Sequence, residues 1–129
     1  MISYLDASAA MKLVLDEPQS EALAAELAVH SGDRRLVSSW LLHAEMHCAA
    51  GRHPDEVNLA AVRAVLDVVD LVDLIRGDLL AAGTHAPLRS NDAIHLAVAL
   101  RVGADEIVTY DAELAERARS AGLALLSPN

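Results

Sequence analysis

The sequence predicts an α/β fold, a three-layer sandwich with a mostly parallel central β-sheet flanked by helices. Two observations predict it. Short extended apolar runs alternate with longer stretches of helical periodicity along the whole chain, which is typical of parallel sheets. The 129 residues also suit one compact domain, residues 1–129, that can bury a core without disulfides or metals. We therefore look for a single functional site.

The alternation predicts five strands and seven helices. The predicted strands are residues 2–5, 35–39, 69–74, 106–110 and 123–126. The predicted helices are residues 8–15, 20–30, 40–50, 54–69, 76–82, 91–101 and 112–121. Ser8 and Pro54 are placed at helix starts, and Ser90 is a reasonable N-cap. Four glycines follow predicted helix ends, where left-handed caps are favoured: Gly51, Gly83, Gly103 and Gly122.

The charge balance limits the classes of function. The chain carries 10 basic and 19 acidic residues, and its net charge is −9 with histidine neutral. A passive nucleic-acid binder normally depends on lysine and arginine, so this balance argues against one. One Trp, two Tyr and no Phe also supply a poor stacking platform for single strands. A polyanionic substrate would therefore need positive charge from elsewhere, such as metal ions held by carboxylates.

The composition indicates a soluble protein of a reducing compartment. No apolar run approaches the roughly 20 residues that span a bilayer, and Asp6 interrupts the N-terminus before a signal-peptide apolar region could form. The single cysteine, Cys48, cannot form an internal disulfide, and we expect it to be a small core residue. We expect a cytoplasmic location and no membrane partner.

Two aspartates directly follow predicted strands, in "YLDASA" and "TYDAEL". The carboxyl ends of parallel strands meet at one edge of a sheet, where ligands bind, so Asp6 and Asp111 are expected to share that edge. An alternative of about equal weight is that each aspartate only caps the helix behind it.

Glu45 lies on an apolar stripe of its predicted helix. Its neighbours three and four residues away are Leu41, Leu42, Cys48 and Ala49. Because burying an unpaired carboxylate is costly, Glu45 either needs a cation or reaches water at a helix end.

Asp92 opens an otherwise apolar helix, "NDAIHLAVALR". A first-turn acid has a favourable interaction with the helix dipole. The helix is apolar on most faces, so we expect it to be central and buried, with its N-terminus opening toward the crevice of Asp6 and Asp111. Four convergent carboxylates would require hard cations that take oxygen ligands, such as Mg²⁺ or Mn²⁺.

Four segments carry a combined pattern in order along nearly the whole chain. They are "YLDASA", "SSWLLHAE", "LRSNDAIHLAVAL", and "IVTYDAELAERARSAGL" followed by "SP". Together they resemble the PIN-domain nucleases, and in particular the VapC toxins of prokaryotic toxin–antitoxin pairs. The resemblance implies a PIN-like fold and Mg²⁺-dependent hydrolysis of RNA phosphodiester bonds, with tRNA or another structured RNA as substrate and Mn²⁺ as a substitute metal.

The resemblance also implies roles for individual residues. Asp6, Glu45, Asp92 and Asp111 correspond to the four acidic active-site residues of the family. Asp6 and Asp92 would be the main Mg²⁺ ligands, Asp111 would complete the shell or hold a second ion, and Glu45 would orient or deprotonate the attacking water.

Further contacts and partners follow from the same resemblance. Ser8 and Thr109 fall where the family carries small hydroxyl residues that support the site, and we assign them with Arg89 to substrate binding. Arg89 precedes the helix of Asp92 and is our candidate for a phosphate contact, although the plainer interpretation is an exposed arginine with no role at the site. The expected assembly is a homodimer, silenced by a cognate antitoxin whose C-terminal segment enters the acidic groove with an arginine or lysine.

Other polar residues have plainer interpretations. Asn91 stands where the family usually has an apolar residue, and it could cap the helix or contact substrate. His95 is expected to pack in the core through a hydrogen bond. His43 and His47 share a helix face and could bind Zn²⁺, but no third ligand is evident at helical spacing. An acidic series is expected to form a solvated face: Asp67, Asp70, Asp73 and Asp78.

Two functions compete with the nuclease. One is a non-catalytic acidic PIN-like module that binds a basic protein partner, and the other is a metal-dependent phosphatase acting on a small molecule. Activity on RNA compared with activity on a generic phosphomonoester separates the two enzymes.

Overall fold

The computed structural model describes residues 1–129 and confirms the three-layer α/β fold. The strands are β1 (Ile2–Leu5), β2 (Arg35–Ser39), β3 (Asp70–Val72), β4 (Glu106–Val108) and β5 (Ala124–Leu126). The helices are α1 (Ala7–Lys12), α2 (Ser20–Val29), α3 (Trp40–Arg52), α4 (Leu59–Asp67), α5 (Arg76–Ala82), α6 (Ser90–Arg101) and α7 (Ala112–Ser120). A short 3₁₀ turn, Gly83–His85, follows α5. None of these helices combines the length and the apolar character needed to cross a bilayer.

The sheet is parallel throughout, in the order β3-β2-β1-β4-β5. The chain moves outward from β1 through β2 to β3 and then returns to place β4 on the other side of β1. The strand order therefore reverses between β1 and β4. In open parallel sheets such a reversal leaves a crevice at the carboxyl ends of the two strands.

Two apolar layers cover the sheet because side chains alternate between the faces of each strand. Leu5 faces a cluster built with α1 to α4, where it packs with residues such as Leu42 and Met46. Tyr4 points to the opposite face and packs with Leu96 of α6 and Leu114 of α7. Helix α5 packs against α6 outside this second layer.

Helix α6 is the central helix, as its sequence predicted. Six of its residues are buried: Ala93, His95, Leu96, Ala97, Val98 and Ala99. Burial of a side chain such as Leu96 contributes about 1.5–3 kcal/mol. The helix is consequently held on several sides, and any polar group at its N-terminus is fixed relative to the sheet.

Three predicted helix starts differ from those of the structure, two of them because another side chain caps the helix. Asp6 is the N-cap of α1, rather than Ser8, and its carboxylate accepts a hydrogen bond from the Ala9 amide. Helix α4 begins only after Asn58, whose side chain caps it, so the prediction of a helix starting at Pro54 was too long. Ser90 lies inside α6 and does not cap it.

Two of the four predicted glycine caps have the left-handed backbone. Gly103 and Gly122 have φ of 70° and 95°, so they end α6 and α7 in the conformation that favours glycine. Gly51 lies within α3, and Gly83 has an ordinary φ of −61°. The prediction was therefore wrong for these two residues.

Two further predictions are corrected by the packing. Cys48 is exposed rather than part of the core, because its side of α3 borders an open groove and no neighbouring element covers it. Asp78 does not belong to a solvated face, since it is only 2% exposed. Its partner is Arg101 of α6, whose Nε and Nη2 donate to the two carboxylate oxygens at 2.7 and 3.1 Å.

Asp78 also accepts a hydrogen bond from the Ile75 amide at 2.9 Å. Burial by itself raises the pKa of Asp78, but the hydrogen bonds from Arg101 and Ile75 outweigh it and hold the pKa below its ordinary value. The pair therefore joins the start of α5 to the end of α6.

We predict that Asp78→Asn lowers the free energy of unfolding by about 1–3 kcal/mol, because it breaks a pair whose carboxylate is buried. The 36% exposure of the Arg101 side chain keeps the loss below that of a fully buried pair. Since the native pKa is lowered, this stability is fully present above the ordinary aspartate pKa of about 3.9 and is lost as the pH falls through the native value. Urea denaturation from pH 7 downward measures it.

Asp70→Asn is the matched control. Asp70 pairs with Arg35 at the surface, where the two side chains are 58% and 61% exposed, and such pairs contribute less than about 1 kcal/mol. If both variants lost the same free energy of unfolding, the buried pair of Asp78 would contribute no more to stability than the surface pair of Asp70.

Candidate active site

Asp6 and Thr109 leave the sheet side by side at the crevice between β1 and β4. Leu5 of β1 pairs with Val108 of β4, so the next residue of each strand emerges at the same edge. Asp111 follows two residues after Thr109. The structure thus brings Asp6 and Asp111 to one edge of the sheet, as expected from their positions after two strands.

The Asp6 carboxylate is almost completely buried and hydrogen-bonded on both oxygens. Its Oδ1 accepts from the Ala9 amide at 2.9 Å and from the Ser8 hydroxyl at 2.8 Å. Its Oδ2 accepts from the Thr109 hydroxyl at 2.7 Å. Burial raises the pKa of Asp6 despite these hydrogen bonds, which act in the opposite direction.

Ser8 and Thr109 are placed against Asp6 rather than toward an open surface. The Ser8 hydroxyl also accepts from the Tyr110 amide at 2.9 Å, and Thr109 Oγ1 accepts from the Asp111 amide at 3.0 Å. The two hydroxyls therefore connect Asp6 to the backbone that precedes α7. This arrangement favours a supporting position for both residues over direct contact with substrate.

Asp111 is the N-cap of α7, and its Oδ1 accepts from the Leu114 amide at 2.8 Å. Asp6 is likewise the N-cap of α1. The two interpretations of these aspartates are therefore compatible, since each caps a helix and also lies at the crevice.

Asp92 lies in the first turn of α6 and is half-buried. Burial raises its pKa first, and the negative charges of Asp111, Asp6 and Glu45 raise it further, while His95 lowers it. The carboxylates from four separate segments are therefore close enough to interact electrostatically. Their mutual repulsion favours a cation in the crevice.

Glu45 of α3 faces α6 and finds two hydrogen-bond partners there. One oxygen forms a short hydrogen bond with Nε2 of His95, and the other accepts from Nδ2 of Asn91 at 3.5 Å. His95 is fully buried, and its Nδ1 lies 2.7 Å from the Tyr4 hydroxyl. The expectation that His95 packs in the core through a hydrogen bond is confirmed.

Sequence reasoning missed the contact of Glu45 with Asn91 and His95. The sequence does place Asn91 and His95 side by side, because residues four apart lie on the same face of a helix. Asn91 and His95 have this spacing in "NDAIH". What the sequence could not indicate is that Glu45 of α3 lies against that face of α6.

Other candidate residues lie at the border of the crevice or elsewhere on α3. Arg89 is exposed at the N-cap position of α6, three residues before Asp92. The rings of His43 and His47 stack with centroids 4.1 Å apart, and His47 Nδ1 lies 2.8 Å from the His43 carbonyl.

The donor set of the crevice fits a hard divalent cation. It consists of carboxylate oxygens, which Mg²⁺ and Mn²⁺ prefer. No group of three or more acidic, histidine or cysteine side chains lies close enough together to hold a metal ion by itself. Mg²⁺ typically uses only one or two carboxylates and completes its shell with waters and substrate phosphates.

A groove of about 390 Å³ opens beside Glu45 and runs along α3. Its walls are mainly apolar, with Met11, Leu41 and Ala44 among them, and Arg52 lies in the lining. The groove therefore offers an apolar surface directly next to an acidic group.

Comparison with known proteins agrees with this fold. Residues 3–120 match the family model described as PIN domain. Ribonuclease VapC46 of Mycobacterium tuberculosis (strain ATCC 25618 / H37Rv) is 37% identical over 130 residues, covering 98% of this chain and 97% of the relative. Ribonuclease VapC35 of the same strain is 37% identical over 131 residues, covering 97% and 96%.

Solved structures share the fold at lower identity. VapBC2 from Rickettsia felis, bound to a DNA fragment from its promoter, gives a TM-score of 0.75 at 15% identity and covers all of both chains. Mycobacterium tuberculosis VapC20, a Sarcin-Ricin loop cleaving toxin, gives 0.74 at 15% identity, covering 98% of this chain and 99% of that one.

The chain therefore belongs to the PIN-domain family. Its relatives above 30% identity place it, within that family, among the VapC ribonucleases.

We predict that Asp92→Asn stabilises the protein in the absence of divalent cations. The variant removes a carboxylate whose pKa is raised by burial and by like charges, so ionising it at pH 7 opposes folding. Because the native pKa is raised, the free-energy cost of ionising Asp92 in the folded protein is largest at pH values above that pKa. The advantage of the variant should shrink as the pH falls toward the ordinary value of about 3.9.

Thermal unfolding in chelator at several pH values measures this effect. Asp67→Asn, at an exposed position of α4, is the control and should leave the midpoint nearly unchanged. A lower midpoint for Asp92→Asn at pH 7 would show that the carboxylate stabilises the cation-free fold.

Proposed function

We propose that this protein is an endoribonuclease that depends on Mg²⁺, with Mn²⁺ as a substitute, and that it is the toxin of a type II toxin–antitoxin pair. The observation that carries the proposal is that Asp6 and Asp111 follow neighbouring strands at the strand-order reversal. Asp92 of α6 lies near enough for the charges of Asp6, Asp111 and Glu45 to raise its pKa. The ribonuclease names of the relatives indicate RNA as the substrate class.

In this proposal Asp6 and Asp92 are the main metal ligands and Asp111 completes the metal site. The bound cation would stabilise negative charge on the scissile phosphate and lower the pKa of a water. Ser8 and Thr109 hold the Asp6 carboxylate through their hydroxyls, at 2.8 and 2.7 Å, and so fix its direction. No nucleophilic side chain is required.

Glu45 takes the proton of the attacking water or orients that water. Its position supports this role, because it is 20% exposed and borders the groove while its carboxylate is held by α6. Arg89 is a candidate for a phosphate contact, since it is exposed at the start of the helix that carries Asp92. A local arginine beside metal ions would offset the net charge of −9 where RNA binds.

The substrate in this proposal is tRNA or another structured RNA. The partner is a cognate antitoxin, and the assembly is a homodimer. The groove supports the antitoxin partner, because apolar walls next to the Glu45 carboxylate suit a segment with apolar side chains and one arginine or lysine.

We predict that the purified protein cleaves RNA in the presence of Mg²⁺ and that Asp6→Asn and Asp92→Asn each lower the rate at least ~100-fold, because each removes a proposed ligand. Gel analysis of total RNA and of purified tRNA, with and without chelator, measures cleavage. Asp67→Asn is the control for the charge change.

The alternatives give distinct results in the same assay. Equal cleavage of DNA would contradict RNA specificity, and hydrolysis of a generic phosphomonoester without RNA cleavage would indicate a phosphatase. An inactive wild-type protein that still binds a basic peptide would favour the non-catalytic acidic module.

We also predict that the protein encoded by a small neighbouring reading frame suppresses this cleavage when the two are co-purified. Glu45→Gln should weaken the complex, because it removes a negative charge beside the groove. Size-exclusion chromatography with light scattering reports both the complex and the homodimer. If a stable complex cleaved RNA as fast as the protein alone, this mode of inhibition would be contradicted.

A further inference from the structure

We propose that His95 is a positioning residue that fixes the Glu45 carboxylate in the crevice through a hydrogen-bond chain from Tyr4 to His95 to Glu45. This inference rests on the proposed function, in which Glu45 acts on the attacking water. It assigns His95 a role in the reaction in addition to its place in the core.

The hydrogen-bond chain begins in β1, the central strand of the sheet. Tyr4 is fully buried in β1, where it pairs in register with Val37 on one side and Ile107 on the other. Its ring packs edge-on against that of His95, with centroids 5.6 Å apart. The imidazole is therefore located by the sheet as well as by its own helix.

The partners of the ring determine where its hydrogen lies. An ionised Glu45 can only accept, so Nε2 of His95 must carry the hydrogen of that bond. Nδ1 on the other side of the ring lies 2.7 Å from the Tyr4 hydroxyl, and this hydrogen bond connects the imidazole to β1.

The surroundings of His95 indicate why a polar ring is present. Every other buried residue of α6 is apolar: Ala93, Leu96, Ala97, Val98 and Ala99. A polar ring among them is costly unless both nitrogens are hydrogen-bonded. Both are bonded here, and one of the two partners is an acid at the crevice. An apolar residue would fill this position without directing Glu45.

Asn91 supplies a second donor to the same carboxylate. It lies one turn before His95 on α6, and its Nδ2 is 3.5 Å from the Glu45 oxygen that His95 does not contact. Two donors on two oxygens restrict rotation of the carboxylate as well as its position. This contact gives Asn91 a function at a position where the resemblance leads one to expect an apolar side chain.

Two amide variants of His95 separate positioning from packing. In His95→Gln the terminal amide reaches the region of Nε2 and can donate to Glu45, whereas in His95→Asn it reaches only the region of Nδ1, toward Tyr4. We expect His95→Gln to keep most of the wild-type kcat. We expect His95→Asn to lower kcat about 10- to 100-fold with little change in KM, a size typical of lost supporting hydrogen bonds.

Rates are compared at a temperature where thermal unfolding shows both variants to be folded. Equal kcat values for the two variants, or a wild-type kcat for His95→Asn, would overturn the proposal, because a purely structural histidine does not distinguish the two amides in this way.

A spectroscopic measurement tests the chain without relying on activity. In ¹⁵N-labelled full-length protein, long-range ¹H–¹⁵N correlation spectra of the imidazole show which ring nitrogens carry hydrogen. We expect hydrogen on Nε2 of His95 and a changed Nε2 shift in Glu45→Gln. An Nε2 without hydrogen would overturn the proposal. An inactive wild-type protein would refute the nuclease function. The spectra would still show whether the hydrogen bond from His95 to Glu45 forms.

Discussion

The buried Asp6 carboxylate determines where the elements around the crevice must meet. A carboxylate that is only 1% exposed would be very unfavourable without hydrogen-bond donors. Its donors come from the first turn of α1 and from Thr109 at the end of β4. These elements must therefore meet where the strand order reverses, so that the fold and the crevice are specified by the same contacts.

Like charges share this crevice because the backbone offsets part of their repulsion. Asp6, Asp92 and Asp111 each lie at the N-terminal end of a helix, where the helix dipole favours negative charge. The offset is incomplete, since burial and neighbouring charges still raise the pKa of Asp92. In the proposed function, a divalent cation and an RNA phosphate would together complete the charge balance in a protein of net charge −9.

Local patterns predicted the fold, whereas contacts between distant segments did not follow from the sequence. Strand periodicity and the rule for strand ends placed Asp6 and Asp111 correctly at one edge, and apolarity identified α6 as the central helix. The burial of Asp78 was missed, because its partner lies 23 residues away on another helix. Glu45 was predicted either to need a cation or to reach water at a helix end, and the sequence could not reveal that its neighbour is His95.

Helix α6 connects the apolar core to the site. Its C-terminal half is packed from several sides, while its N-terminal half carries Asn91, Asp92 and His95 toward the crevice. A helix fixed in this way holds polar groups more firmly than a loop does. The opposite wall, formed by α3, borders an open groove at Glu45. One side of the crevice is therefore packed against the core, and the other side is accessible along α3.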